Sequence, residues 1–390
     1  MTYSIIVPVY NRPDEVDELL QSLCQQSQKD FEVIIVEDGS KNPCKDVCEK
    51  YADKLDLHYY FKDNSGPGQS RNYGAERAKG EWLIILDSDV VLPDGYLLAV
   101  DNRLKIKDER YDYTSGKDST SQTNHIYHLS SIISNIAAFG GPDASHPSFT
   151  PVQKAISYSM TSFFTTGGIR GGSSPLRGEK RGALDKFFPR SYNMGIRREV
   201  YQELGGFSKM RFGEDIDFSY RIIEAGYKTA LIPEAWVWHK RRTDFHKFFR
   251  QVKGSGIARI NLEKRHPGTM KLVHMLPTVF TVGVIALVLL SAVGRLLMYY
   301  CGNDEWRWLC LLPWLPILLY SLIILTDSTL KNKSLKVGLL SVPAAFTQLM
   351  GYGFGFIESW WKRCVLKKPE EPAGGQSEKD RQSFEQKFYS

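Results

Sequence analysis

Apolar and polar positions alternate in two periods along the first hundred residues. Ser4-Ile5-Ile6-Val7-Pro8-Val9 is a β-branched run that breaks at Tyr10-Asn11. From Asp14 to Gln25 the apolar residues Val16, Leu19, Leu20 and Leu23 recur at helical spacing. Phe31 to Val36 is a second buried-strand pattern, and it ends in Glu37-Asp38-Gly39-Ser40. Pro43 to Tyr51 is helix-like, and Leu57 to Phe61 is a third strand. A Gly-rich loop, Asn64 to Gly74, runs into a helix before the apolar stretch Glu81 to Leu86. Strands alternating with helices predict a mostly parallel sheet with helices on both faces. The last apolar run ends in Asp87-Ser88-Asp89. Open α/β sheets bind ligands beyond the carboxyl ends of their strands. Carboxylates at i and i+2 share a side of an extended chain and can hold one divalent cation. Taken alone, the same residues equally describe a solvated turn.

The pattern loosens after that. Lys105 to Ser121 is polar and irregular and reads as a surface excursion. Ile132 to Phe139 is apolar and is broken by Gly140-Gly141-Pro142-Asp143. Gln153 to Phe164 has the spacing of a helix carrying Ile156, Met160, Phe163 and Phe164, which suits a core or a membrane surface. Thr165 to Pro175 is too Gly-rich for regular structure and, as a long loop, is read as functional. Ser191 to Ile196 returns to strand, and a helix from Arg198 to Leu204 stops at Gly205-Gly206-Phe207. Glu214, Asp215 and Asp217 then open a helix whose buried face is Phe218, Ile222 and Ala225. Carboxylates in a first helical turn are favoured by the helix dipole whatever else they do.

The final third changes character. Met275 to Gly294, Trp308 to Thr326 and Val337 to Ile357 carry no charge, and each has about the twenty residues a helix needs to cross a bilayer. Tyr299, Tyr300, Trp306, Trp308, Trp360 and Trp361 stand at their ends, as interfacial aromatics do. Between Lys240 and Lys271 there are ten Lys or Arg against Asp244 and Glu263, interleaved with Phe245, Phe248 and Phe249. Basic-aromatic mixtures also bind nucleic acid. The apolar segments that follow favour a membrane surface instead, so no nucleic-acid partner is expected.

Composition narrows the classes. The 390 residues, 24% charged and 12% aromatic with net charge +6, exclude a disordered chain and predict more than one region. The six cysteines form no C-x-x-C pair and read as reduced thiols. The first strand starts at once, so no signal peptide is expected.

Four motifs occur in order: Val7-Pro8-Val9-Tyr10-Asn11, Glu37-Asp38-Gly39-Ser40, Gly68-Gln69-Ser70-Arg71-Asn72 and Asp87-Ser88-Asp89. At this spacing the chain resembles the nucleotide-sugar half of family 2 glycosyltransferases, which have the GT-A (Rossmann-like) α/β fold. Each motif is weak alone; the ordered set is specific. The resemblance implies that Pro8, Tyr10, Asn11, Asp38, Arg71 and Asp87 bind a UDP- or GDP-sugar, with Asp38 on the base. It implies that Asp87 and Asp89 hold Mg²⁺ or Mn²⁺ on the diphosphate. Glu37 stands where the family often has a second Asp. Asn193 through Gly206-Phe207 to Glu214-Asp215 is similar to the acceptor half, where the Asp serves as general base. Asp215 is therefore the expected base, and Glu214 orients it or an acceptor hydroxyl. His239 is carried as a further metal contact from several relatives. Gln251-Val252-Lys253-Gly254-Ser255 lacks the Gln-x-x-Arg-Trp of processive members, which argues against a polymer synthase.

The expected organisation is a GT-A domain over 1–240, a basic amphipathic membrane-surface segment over 241–273, and a transmembrane region over 274–361. Its spans are about 275–299, 307–326 and 336–358, and a polar tail follows over 362–390. The basic belt sets the catalytic domain on the cytoplasmic side of a bacterial inner membrane, as a multi-pass protein. Three full crossings would put Lys362, Arg363, Lys367 and Lys368 outside. With Pro343, Gly351, Gly353 and Gly355 inside it, the third segment is thus either a crossing or a bent, re-entrant one. The expected activity is metal-dependent, inverting hexosyl transfer to a hydroxyl of a lipid-linked saccharide in surface-polysaccharide synthesis. The alternatives are transfer to polyprenyl phosphate, and a non-catalytic nucleotide-sugar-binding membrane protein.

Overall fold

The structure, a computed structural model, describes residues 1–105, 136–146, 148–166, 187–301 and 306–370. Two compact units divide them, one from 1–146 and 187–240, the other from 148–166 and 241–370.

In the first unit the chain runs β1 (Tyr3–Val9), α1 (Pro13–Cys24), β2 (Phe31–Asp38), α2 (Lys45–Glu49), β3 (Leu57–Lys62), α3 (Pro67–Ala75), β4 (Trp82–Leu86), β5 (Val90–Val91) and α4 (Tyr96–Lys105). β6 (Ile136–Gly140) and β7 (Asp143–Ala144) follow. After the excursion into the second unit come β8 (Asn193–Arg197), α7 (Arg198–Glu203), α8 (Glu214–Glu224), β9 (Lys228–Leu231) and β10 (Val237–His239). The large sheet has the order β3-β2-β1-β4-β8-β6-β9. Only β8 runs against its neighbours, pairing antiparallel with β4 and β6, so the sheet is mostly parallel as the sequence predicts.

Both faces are covered, which is why the strands read as continuous apolar runs. Val7, Val33, Ile35 and Ile84 pack with Leu19, Leu20 and Leu23 of α1 on one side. Ile6, Ile34, Ile85 and Ile196 pack with Phe207, Phe218 and Ile222 on the other. α1 starts with Pro13 in its first turn, followed by Asp14 and Glu15 where the dipole favours them.

A second sheet, β5-β10-β7, is not legible in the sequence, because two of its strands are two residues long. It pairs His239 with Val90 and Val237 with Asp143.

The second unit holds α5 (Pro151–Thr161), α6 (Phe163–Thr166), α9 (Phe245–Arg265), α10 (Leu272–Cys301), α11 (Arg307–Leu311), α12 (Trp314–Asn332) and α13 (Leu335–Trp360). The helix expected from Gln153 thus groups with this unit and not with a 1–240 domain. The cause is packing: Ile156 and Met160 cluster with Phe248 and Val252, and Ala155 with Val337 and Ala344. Leu272–Tyr300, Arg307–Asn332 and Leu335–Val365 are long and apolar enough to cross a membrane.

The third segment, open between crossing and re-entry, forms one helix from Leu335 that continues into a π-helical turn at Trp361–Val365. Its glycines are contact points. A Cβ on Gly355 would overlap the Lys253 carbonyl oxygen, and one on Gly353 the Thr281 hydroxyl. The polar excursion from 106, the Gly-rich loop from 167 and the tail from 371 lie outside the described residues.

Candidate functional site

The exits of β1, β2, β3 and β4 converge at one edge of the large sheet. Asn11 takes a left-handed φ of 53° there. Its amide N donates to Ser40 Oγ at 2.7 Å, and its Oδ1 accepts from the Lys41 and Asn42 amides at 2.8 and 3.0 Å. The β1 turn is thereby fixed to the turn after β2. Pro8 and Tyr10 are half-buried beside it.

Asp38 ends β2 and is buried. It does not cap α2. Its Oδ1 accepts from the Ser65 amide and its Oδ2 from the Gly66 amide, both at 2.9 Å, and Lys62 donates to Oδ1 as well. Gly66 has a φ of 89°, which only glycine takes readily, and Pro67 then starts α3. Lys62 was not foreseen, although its register partner on β2 is Asp38.

Asp87 and Asp89 follow β4. Asp87, Asp89 and His239 each direct a ligand atom into one space, with all three atoms within 4.8 Å of one another. His239 Nε2 stands 3.3 Å from Asp89 Oδ1. The small sheet achieves this: the register of His239 with Val90 sets it beside Asp89, and the Lys240 amide donates to the Asp89 carbonyl at 3.0 Å. Tyr192 stacks on the imidazole at 5.0 Å. His239 Nδ1 faces Asp143 Oδ2 at 3.8 Å.

The donor set fits the implied cation. The two carboxylates suit Mg²⁺ and Mn²⁺, and the imidazole favours the softer of these.

Two arginines hold the acidic pair. Arg12 Nη1 donates to Asp89 Oδ2 at 2.8 Å. Burial works against its charge, but Asp89, Glu15 and Asp87 outweigh that and raise its pKa. No sequence signal marks Arg12 beyond its place just after the Asn11 turn.

Arg71, on α3, is 3% exposed. Its Nη2 donates to Asp87 at 2.8 Å and its Nη1 to Glu214 at 2.9 Å. Its guanidinium lies 5.2 Å from the Phe207 ring centre. Burial opposes this charge too, yet Asp87 and Glu214 drive the pKa above its ordinary value.

Glu214 opens α8 and is buried. Burial pushes its carboxyl up, Arg71 offsets part of that, and Asp215 adds to the rise. Asp215 stands next to it, and its Oδ2 is 3.7 Å from Arg190 Nε. Asp217 belongs to a different network, accepting from Ser208 and Arg221. The acidic first turn is thus divided: Glu214 serves Arg71, Asp217 serves the fold, and Asp215 remains at the surface.

Among the expected residues, Asp87, Asp89, His239, Arg71 and Glu214 form one connected group, with Asp215 adjoining through Glu214. Asp38 and Asn11 anchor the neighbouring turns.

The acidic, metal-capable group thus lies beyond the strand ends of a mostly parallel sheet. Residues 4–205 match the family model Glycosyl transferase family 2, and residues 186–325 match Glycosyl transferase family group 2. The first match covers more than half of the chain, which therefore belongs to family 2 of the glycosyltransferases. An uncharacterized glycosyltransferase of Haemophilus influenzae is 48% identical over 86 residues, 22% of this chain and 29% of that one. The poly(ribitol-phosphate) beta-N-acetylglucosaminyltransferase TarS of Staphylococcus aureus is 41% identical over 93 residues, 23% of this chain and 16% of TarS. These matches span less than a third of either relative. Mannosyltransferase PcManGT from Pyrobaculum calidifontis, solved with GDP-Man and Mn²⁺, aligns at a TM-score of 0.53 and 15% identity. That alignment covers 93% of this chain and 87% of the mannosyltransferase, and at this identity it establishes a shared GT-A fold.

Proposed function

We propose that the chain is a membrane-anchored, metal-dependent, inverting glycosyltransferase. It moves a hexosyl group from a UDP- or GDP-sugar to a hydroxyl of a lipid-linked saccharide during surface-polysaccharide synthesis. The observation that carries this reading is the convergence of Asp87, Asp89 and His239 at the edge of a family 2 fold. TarS, which by its name acts on poly(ribitol-phosphate), supports a surface-glycan role. The three apolar helices support membrane anchoring, and the Lys/Arg excess between Lys240 and Lys271 supports a catalytic unit on the cytoplasmic side of a cytoplasmic membrane.

Asp87, Asp89 and His239 would hold Mn²⁺ or Mg²⁺, which would supply positive charge against the leaving diphosphate, so that no protein acid is needed. Arg71 and Arg12 fix the two carboxylates, so the ligand atoms are placed before the donor arrives. Asp38 sits at the turn expected to meet the base. Asp215 takes the proton of the acceptor hydroxyl as its oxygen attacks the anomeric carbon. One bond forms from that oxygen to carbon, and the bond from carbon to the diphosphate oxygen breaks with its electron pair. Glu214 keeps Arg71 in place and is a positioning residue. Membrane anchoring raises the effective concentration of a lipid-borne acceptor.

The test is thermal stabilisation of the detergent-solubilised chain by a panel of nucleotide sugars with Mn²⁺. A member of the UDP or GDP series raises Tm in the intact chain and not in Asp89→Ala. No response to any of the panel contradicts the reading.

A further inference from the structure

A buried carboxylate lies at the opposite end of the large sheet. Glu32, the second residue of β2, is 0% exposed. Its Oε1 accepts from Ser4 Oγ and from the Lys79 amide, both at 2.6 Å. Among the described residues its Oε2 is buried without a hydrogen-bond partner. His58 Nε2, in the same condition, faces it at 3.4 Å. Asp56 Oδ1 stands 3.1 Å from the same nitrogen. The Lys79 ammonium comes only within 4.0 Å of Oε2, and its side chain is 65% exposed, so solvent screens it.

A buried carboxylate requires a compensating cation. Two carboxylate oxygens at 3.1 and 3.4 Å from one imidazole nitrogen have the spacing of neighbouring ligands on one small cation. Zn²⁺ bonds of about 2.0–2.1 Å in a tetrahedron place neighbouring ligand atoms ~3.3 Å apart. The three ligand atoms also lie within 4.8 Å of one another. We propose that Glu32, Asp56 and His58 form a site for a tetrahedral transition-metal cation, Zn²⁺ by its chemistry, with solvent as the fourth ligand.

The position gives the site its role. Among the described residues β3 is an outer strand of the sheet, paired only with β2. Ile34 is in register with His58, and the Val33 amide donates to the Asp56 carbonyl at 2.8 Å. A cation bound here fastens the start of the outer strand to β2 and fixes its register. Glu32 precedes Asp38 by six residues of strand, about 20 Å at ~3.3 Å per residue. The site is therefore separate from the Asp87 group.

The test uses the full chain in detergent, stripped by chelator, loaded with ZnCl₂ and desalted. Wild type, Asp56→Asn and His58→Gln are compared, each also in an Asp89→Ala background. Both substituted side chains are partly exposed, 48% and 32%, so the variants fold. Wild type retains one zinc equivalent more than either variant in both backgrounds. Zn²⁺ raises its Tm by about 5 °C and leaves theirs unchanged. Equal zinc content in wild type and both variants overturns the proposal. An equal Tm response, or a difference that vanishes in the Asp89→Ala background, overturns it too.

Discussion

His239 Nε2 stands 3.3 Å from Asp89 Oδ1, although 150 residues of chain separate the two. Two short strands in register bring them together, and stacking on Tyr192 holds the imidazole ring. His239 is thereby a ligand candidate placed by backbone pairing. His239→Ala removes one of three ligand atoms. The Mn²⁺ concentration for half-maximal transfer is expected to rise at least about tenfold. An unchanged Mn²⁺ dependence would remove His239 from the metal set.

Arg71 bridges Asp87 and Glu214 from a buried position. Arg71→Met leaves two carboxylates without their cation, and the expected loss of stability is about 3–5 kcal/mol. Arg71→Lys cannot span both partners in the planar two-pronged manner of a guanidinium and is expected to recover only part of the loss. Denaturant unfolding of the three proteins measures this, and an Arg71→Lys protein as stable as wild type contradicts the bridge.

Asp215 adjoins the group without being consumed by it. Asp215→Asn is expected to lower kcat by about 10²–10⁴ while nucleotide-sugar stabilisation is preserved. An acceptor that is already anionic needs no base. Near-normal turnover in Asp215→Asn therefore contradicts the hydroxyl acceptor and points to a phosphate one.

Glu263 supplies a pH-dependent contact in the second unit. The Gly268 amide, with those of Met270 and the Thr269 hydroxyl, holds its carboxyl below the usual range despite some desolvation. A depressed folded pKa means stabilisation that is present above the ordinary carboxylate value and lost as pH falls through the folded value. Hydrogen exchange at the Gly268 and Met270 amides, corrected for intrinsic rates, is expected to accelerate as pH falls below the ordinary glutamate range and through the lowered folded value. Glu263→Gln produces the same acceleration at neutral pH. Exchange insensitive to both changes contradicts the contact.

Much of the donor half was legible because the signals there are local. Strands buried on both faces appear as runs such as Leu83 to Leu86, and the acidic residues follow at their ends. Two kinds of feature were not local. The β5-β10-β7 sheet rests on pairings two residues long, so no local pattern marks Asp143, and His239 is singled out only through the family resemblance. The helix at Pro151–Thr161 has an apolar face compatible with any core, and only its packing on Phe248, Val252 and Val337 assigns it to the second unit. Gly351, Gly353 and Gly355 read as bend signals, but they serve close helix packing, because a missing Cβ permits either. The glutamate at 32 was hidden for a similar reason: inside an apolar strand, a carboxylate's partners come from elsewhere in the chain.

The central claim is metal-dependent sugar transfer at Asp87, Asp89 and His239. Its most direct test is transfer from radiolabelled nucleotide sugars to lipid-extractable product in native membranes containing the chain. The account predicts product with Mn²⁺, its loss on chelation, its recovery on adding Mn²⁺ back, and none at any metal concentration with Asp89→Ala. Donor binding without product, or product that survives chelator and Asp89→Ala alike, would contradict it.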